Sequence, residues 1–165
     1  MMISLKPAQA HDINTVSAIF RRAVSDMSER FIFQWDGWYP SEEMLRLDIE
    51  NGHMYLVCQR NETIGAVVLN EQMDDEYAQG CWVCAEPAAA VHRLCIDPSY
   101  QHRGFGRQAM QQAEHLFKEQ GFKSVRLDAF SQNPYAIRLY DSLGYNRVGE
   151  ANFREGLFYL FEKSL

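Results

Sequence analysis

The chain has 165 residues, 47% of them hydrophobic and 23% charged, with a net charge of −6. That composition suits one globular domain with a sizeable core and excludes a disordered chain. The lack of a basic surplus argues against nucleic acid as the main partner. No apolar run approaches the roughly 18–20 residues of a membrane span, and residues 1–7 lack the apolar stretch of a signal peptide. The expectation is a cytoplasmic protein with no membrane partner.

Ile3–Lys6 reads as a short strand stopped by Pro7. From Asp12 to Met27 the residues Ile13, Val16, Ile19, Phe20, Ala23, Val24 and Met27 recur at helical spacing. Phe31–Pro40 is an aromatic connection broken by Gly37 and Pro40. Ser41 caps a second helix with Met44, Leu45 and Ile49 on one face, and Asn51-Gly52 ends it. Met54–Gln59 and Thr63–Leu69 read as a hairpin turning at Arg60-Asn61-Glu62. Residues 70–87 are a polar loop with Asp74, Asp75 and Glu76, ending at Pro87, and Val91–Ile96 follows as a strand.

The spacing predicts a helix from Gly104 to Gln120, with Phe105, Ala109, Ala113, Leu116 and Phe117 inward and Glu114 paired with Lys118 at i,i+4. Gly121 suits its C-terminal cap. Ser124–Ala129 is a strand, and Asn133-Pro134 caps and opens a helix that ends at Gly144. Tyr145–Val148 and Leu157–Glu162 are the last strands. The fold class expected is α/β, a single domain over residues 1–165 with a mixed, twisted sheet of about seven strands and four main helices.

Gln101-His102-Arg103-Gly104-Phe105-Gly106 carries the most chemistry. A strand that delivers closely spaced glycines to a helix N-terminus makes an anion site, because first-turn N–H groups and the helix dipole face the ligand. Glycine there admits close approach of backbone to phosphate. Gly104–Ala109 also fits the dinucleotide pattern G-x-G-x-x-[G/A], with Asp128 placed as its ribose acid. That pattern normally opens its domain and is followed by several βα units, whereas four strands and two helices precede it here. The phosphate loop ending Gly-Lys-Ser/Thr is absent from this stretch.

With Gln101 included, the stretch resembles the acyl-CoA loop, Q/R-x-x-G-x-G/A, of the GNAT superfamily of N-acetyltransferases. Asn133–Tyr145 (NPYAIRLYDSLGY) is similar to the same family's N-x-x-A-x-x-x-Y-x-x-x-G-[FY] segment. The two motifs span residues 90–148, and the element order upstream matches without adding a motif. The resemblance implies acetyl-CoA as cosubstrate, its pyrophosphate held by backbone amides of His102 to Arg107, with His102, Arg103 and Arg107 adding charge. It implies that Gln101 contacts the cofactor or braces the turn, and that Leu94, Cys95 and Ile96 pair with the pantetheine arm. Asn133 would meet that arm from the other side.

Acetyl transfer to an amine needs a neutral nitrogen, a held oxyanion and a protonated leaving thiolate. A backbone N–H of Leu94–Ile96 would hold the oxyanion. Tyr140 lies two helical turns after Asn133 on the same face, and the resemblance makes it the sulfur's proton donor or hydrogen-bond partner. His92, expected to share a face with Leu94 and Ile96, is a candidate base, though it also reads as a buried, hydrogen-bonded ring. Glu71 is the alternative base, or a solvated loop charge.

Trp35, Asp36, Trp38 and Tyr39 are candidates to enclose an acceptor ammonium, and also read as core. Cys58 and Cys95 read as buried reduced thiols, and transfer is expected to be direct, in a ternary complex, with no acyl-cysteine. Cys81-Trp82-Val83-Cys84 is a lone C-x-x-C, and no metal is expected. The partner expected is a small-molecule, peptide or protein amine. The oligomeric state is open, a homodimer included. The rival reading is a catalytically inactive CoA-binding module of the same fold.

Overall fold

The computed structural model describes residues 2–165. Seven strands are formed: β1 (Ile3–Pro7), β2 (Met54–Gln59), β3 (Glu62–Asn70), β4 (Ala88–Ile96), β5 (Ser124–Phe130), β6 (Asn146–Phe153) and β7 (Gly156–Ser164). Four helices accompany them: α1 (Ile13–Glu29), α2 (Glu42–Glu50), α3 (Phe105–Glu119) and α4 (Pro134–Ser142). The strands make one mixed sheet in the order β1-β2-β3-β4-β5-β7-β6. β4 and β5 pair in parallel across the α3 connection, while β1–β2, β2–β3, β5–β7 and β6–β7 are antiparallel. No helix among the described residues is long and apolar enough to cross a membrane.

The chain forms two compact units, Met1–Leu69 with Arg93–Ala113, and Asn70–His92 with Glu114–Leu165. In the first, strand alternation sends side chains to two cores. Leu56 and Cys58 join Ile13, Val16, Ile19 and Phe20 of α1 and Leu45 and Ile49 of α2. Val57, between them, joins Ile64, Ile96 and the α3 residues Phe105 and Ala109. A strand buried on both faces therefore reads as an unbroken apolar run. β1 continues through Pro7, which pairs with Tyr55 at the sheet edge, where a missing N–H is tolerated. The backbone N–H groups of Ile3 and Leu5 donate to Gln108 Oε1 (3.1 Å) and Gln112 Oε1 (3.2 Å), so α3 satisfies that edge.

In the second unit, residues 70–87 are more ordered than a polar loop. A 3-10 turn at Asp75–Gln79 buries Tyr77 with Ala151 and Leu160. Trp82 Nε1 donates to the Tyr77 carbonyl (2.7 Å), and the N–H groups of Val83 (2.8 Å) and Cys84 (3.2 Å) donate to buried Glu162. The C-x-x-C stretch is thus tied down by a β7 carboxylate, and all four cysteines are free. On α3, Phe105, Ala109, Ala113 and Phe117 are buried as expected, but Met110 is fully buried where Leu116 is only partly so. The expected Glu114–Lys118 pair does not form. Glu114 instead receives Lys163 Nζ (2.9 Å) and the Tyr145 hydroxyl (2.9 Å), because a half-buried carboxylate gains more from two donors of the sheet than from an exposed lysine.

Gly65 of β3 marks a close approach: a Cβ there would overlap the Cys95 carbonyl oxygen and stand 2.9 Å from Ile96 Cδ1. Gly65→Ala is expected to cost ~1–3 kcal/mol through forced backbone movement, seen as a lowered urea midpoint. An unchanged midpoint would refute the tight contact.

Candidate active site

In the first unit, β4 turns into α3 through a hydrogen-bonded bend. Asp97 N–H donates to the Ile64 carbonyl (2.8 Å), and Asp97 Oδ1 accepts from Ser99 N–H (3.0 Å). Arg22 of α1 contacts Asp97 Oδ2 through Nε (3.1 Å) and the terminal nitrogen Nη2 (2.5 Å). Burial alone would raise this carboxyl, but the Arg22 and Ser99 hydrogen bonds outweigh it and hold the group below the usual range. Gln101 Nε2 donates to the Ile96 carbonyl (2.9 Å), so Gln101 braces the turn.

His102 (φ 61) and Gly104 (φ 81) are left-handed, and Gln108 N–H makes the first helical bond, to the Gly104 carbonyl (3.1 Å). The N–H groups of Phe105 and Gly106 precede that bond in the first turn of the helix, where backbone donors have no intrahelical acceptor. Phe105 is buried and anchors the helix start, while His102, Arg103 and Arg107 are exposed. Arg103 lies over the Tyr100 ring (5.4 Å to the centroid). A helix start with left-handed entry and the guanidinium groups of Arg103 and Arg107 exposed beside it suits a diphosphate.

The β4 backbone is interrupted at Arg93 (φ 50). Its side chain is held by Asp48 of α2, with Nε to Oδ2 at 3.0 Å and Nη2 to Oδ1 at 2.8 Å, and by the Tyr39 hydroxyl at 3.1 Å from Nη1. Burial works against this guanidinium, yet Tyr39 and Asp48 keep it firmly charged. The left-handed residue breaks the alternation from which His92 was expected to share a face with Leu94 and Ile96, so that placement does not follow. Cys95 is buried, and burial, with Asp97 adding, pushes its thiol far up. Leu94 is partly buried and Ile96 buried, both beside the α3 core.

The aromatic connection serves mainly as scaffold. Trp35 is buried against Phe20 (ring centroids 5.2 Å apart), a core position rather than an acceptor wall. Asp36 Oδ1 accepts from the N–H groups of Trp38 (2.7 Å) and Tyr39 (2.8 Å), which shapes the turn. Tyr39 supports Arg93, and Trp38 is exposed.

In the second unit, Asn133 Oδ1 accepts from the N–H groups of Tyr135 and Ala136 (both 3.1 Å) and caps α4. Tyr140 is 7% exposed, packed edge-on against Tyr145 and beside Phe161. Burial first, and Asp128 second, push its phenol well above the ordinary value, so it is protonated at neutral pH. His92 Nε2 faces Asn70 Oδ1 (3.1 Å) and the Gln72 carbonyl (2.9 Å), and its Nδ1 is 4.0 Å from Asp74 Oδ2. Glu71 is exposed at the bend between those two partners of His92. Tyr77, stacked 6.4 Å from His92, donates to Asp128 Oδ2 (2.6 Å). Sequence reading missed Asp74, Tyr77 and Asp128 as neighbours of His92. The only available signal was an acidic run holding an isolated aromatic.

Comparison with known proteins agrees with this geometry. The sequence model of the acetyltransferase (GNAT) family matches residues 20–145. An acetyltransferase of the GNAT family from Streptococcus agalactiae superposes with a TM-score of 0.86 at 17% identity, covering 99% of this chain and 95% of that one. An N-acetyltransferase from Thermoplasma acidophilum, solved in complex with coenzyme A, covers 100% of both chains with a TM-score of 0.72 at 20% identity. The [ribosomal protein bS18]-alanine N-acetyltransferase of Escherichia coli is 31% identical over 70 residues, 42% of this chain and 45% of that protein. The chain thus spans less than half the length of that curated relative. The chain belongs to the GNAT acetyltransferase family, and its mixed sheet with four helices is the fold of that family's solved members.

Asp48→Ala leaves the Arg93 guanidinium buried without its carboxylate. The expected cost is about 3–5 kcal/mol, measured by urea unfolding. A variant as stable as the wild type would show that the ion pair does not hold β4.

Proposed function

We propose that the chain is one N-acetyltransferase domain that moves an acetyl group from acetyl-CoA to a primary amine by direct attack in a ternary complex. The observation that carries this reading is the β4–α3 turn, where left-handed His102 and Gly104 lead into a helix N-terminus and His102, Arg103 and Arg107 are exposed. The space beside Gly104 is open, with nothing within 4 Å of where a Cβ would stand, so the turn fits a diphosphate. When bound, acetyl-CoA supplies an acetyl thioester as electrophile.

The amides of residues 102–107 bind the pyrophosphate, with Gln101 bracing them, and the backbone of Leu94, Cys95 and Ile96 aligns the pantetheine arm, which Asn133 also meets. A backbone N–H of that strand holds the oxyanion. His92 takes the amine's proton, with Glu71 as the alternative acting through water, and Tyr140 gives a proton to the departing sulfur. A phenol kept protonated by burial suits that role. The raised thiol of Cys95 supports direct transfer over an acyl-cysteine. Exposed Trp38, with Asp36 and Tyr39 shaping its turn, flanks the acceptor. The bS18-alanine relative supports a peptide or protein amine among the acceptor classes. Four free cysteines support a reducing, cytoplasmic setting.

Incubation with acetyl-CoA and an amine panel, read by thiol release and product mass, tests the reading. Coenzyme A binding without turnover on any amine would leave a CoA-binding module instead. Gly104→Glu is expected to abolish coenzyme A binding in a folded protein, since it sets a carboxylate at the phosphate site in a left-handed position; calorimetric affinity equal to wild type would overturn the loop assignment. Tyr140→Phe should lower kcat by about 100-fold or more with coenzyme A affinity nearly unchanged, and wild-type turnover would return Tyr140 to the core.

A further inference from the structure

The β4–α3 turn is tied to α1 through one buried acid. Asp97 is 6% exposed, and its carboxylate serves two elements at once. Oδ1 accepts the Ser99 N–H (3.0 Å), while Oδ2 accepts both Nε (3.1 Å) and Nη2 of Arg22. The Asp97 main chain adds two more bonds, its N–H to the Ile64 carbonyl (2.8 Å) and its carbonyl from the Tyr100 N–H (2.8 Å). Arg22 thus reaches the turn from a helix 75 residues earlier in the chain.

Folding stability is a poor explanation for that reach. The Arg22 side chain is 54% exposed, and pairs open to water to that degree contribute little. α1 is already held by Val16, Ile19, Phe20 and Ala23 in the core. What the guanidinium adds is direction. Its Nε–Nη2 edge grips one carboxylate oxygen, which orients the group and so places the other oxygen, the one that takes Ser99.

That orientation is passed downstream. After Ser99 comes Gln101, whose Nε2 donates to the Ile96 carbonyl (2.9 Å), and then left-handed His102 (φ 61) and Gly104 (φ 81). A left-handed histidine is strained and persists only where its surroundings over-determine it. Arg30, at the end of α1, also lies 3.5 Å from His102 Nε2, so α1 meets the turn at Asp97 and again at His102. A site made of backbone N–H groups cannot adjust by changing rotamers. Its affinity depends on how firmly the backbone is held in the binding shape before the ligand arrives.

Resting on the reading of this turn as the coenzyme A loop, we propose that Arg22 is a positioning residue for the cofactor: through Asp97 it holds the β4–α3 turn in its binding shape and so sets the affinity for coenzyme A. Arg22 does this without touching the ligand, because its two-pronged edge is already taken by Asp97.

The test titrates the full chain calorimetrically with coenzyme A and with 3′-dephospho-coenzyme A, as wild type, Arg22→Met, Asp97→Asn and the double variant. Arg22→Met is expected to raise Kd for both ligands roughly tenfold, and in turnover to raise KM for acetyl-CoA with kcat unchanged. Its urea midpoint should equal that of the wild type, which a merely structural role would lower. Asp97→Asn should act in the same direction, because an amide presents one oxygen where the carboxylate presents two. In that background Arg22→Met should add little, since its route to the turn is already cut. Arg22→Lys keeps the charge without the two-pronged edge and should recover only part of the affinity.

A wild-type Kd in Arg22→Met would overturn the positioning role. So would a loss that persists in full in the Asp97→Asn background, or one seen with coenzyme A and absent with 3′-dephospho-coenzyme A, since either makes Arg22 a direct ligand contact. All three results leave the cofactor-loop reading standing. A wild type that binds neither ligand overturns that reading instead, and the amide NMR shifts of residues 99–106 then decide the rest. Moved in Arg22→Met, they uphold Arg22 as the residue that holds the turn; unmoved, they overturn it.

Discussion

A left-handed residue in the middle of a nine-residue strand is the constraint on which the rest of this structure turns. Arg93 at φ 50 costs on the order of 1–3 kcal/mol relative to extended backbone. The strand keeps it because Asp48 and the Tyr39 hydroxyl grip the guanidinium in three hydrogen bonds. That grip explains several otherwise separate features. Asp48 is a buried acid on α2, Tyr39 ends an aromatic connection, and Asp36 folds that connection so that Tyr39 reaches Arg93. Residues that read as an acceptor wall thus largely hold the strand.

Past the interruption, the strand runs into a bend built the same way, with polar side chains satisfying a backbone that leaves the sheet. Asp97 takes Arg22 and Ser99, and Gln101 takes the Ile96 carbonyl. The result is a helix start whose first N–H groups are free of intrahelical partners and whose entry residues are left-handed. Charged side chains around it add attraction without setting its geometry. The backbone shapes this turn, which is why a short glycine-containing motif is its signal in the sequence.

The contrast between well-read and poorly read parts has a physical basis. Local signals were sufficient for Ser41 as the cap of α2, Asn133-Pro134 as the start of α4 and the hairpin after Gln59, whose turn is Arg60-Asn61 with Glu62 already paired in β3, because cap and turn energies depend on neighbours in sequence. The Glu114–Lys118 pair was misread because i,i+4 spacing offers a partner only when no better donor approaches from elsewhere, and Lys163 and Tyr145 do. Residues 70–87 looked like a loop because Tyr77 and Trp82 stand among acids and turn formers, while their burial depends on Ala151 and Leu160 far along the chain. The face expected for His92 rested on period-two alternation, which assumes an uninterrupted strand, and Arg93 at φ 50 interrupts it.

The sequence by itself determined the element order, the mixed α/β class and the family. Each of these rests on short-range patterns of hydrophobicity, capping and glycine placement. Tertiary structure alone decided what surrounds His92. Asn70, Gln72, Asp74 and Tyr77 reach it from one stretch of chain and Asp128 from another, and their chemistry arises only at distances of a few ångströms. Tertiary structure also turned Trp35 into core and Tyr39 into a support for Arg93, since burial and partnership belong to the packed chain and not to residue type. The turn before α3 was legible because its geometry is set by backbone and by neighbours in sequence. The surroundings of His92 were not, because they are gathered across a long sequence separation.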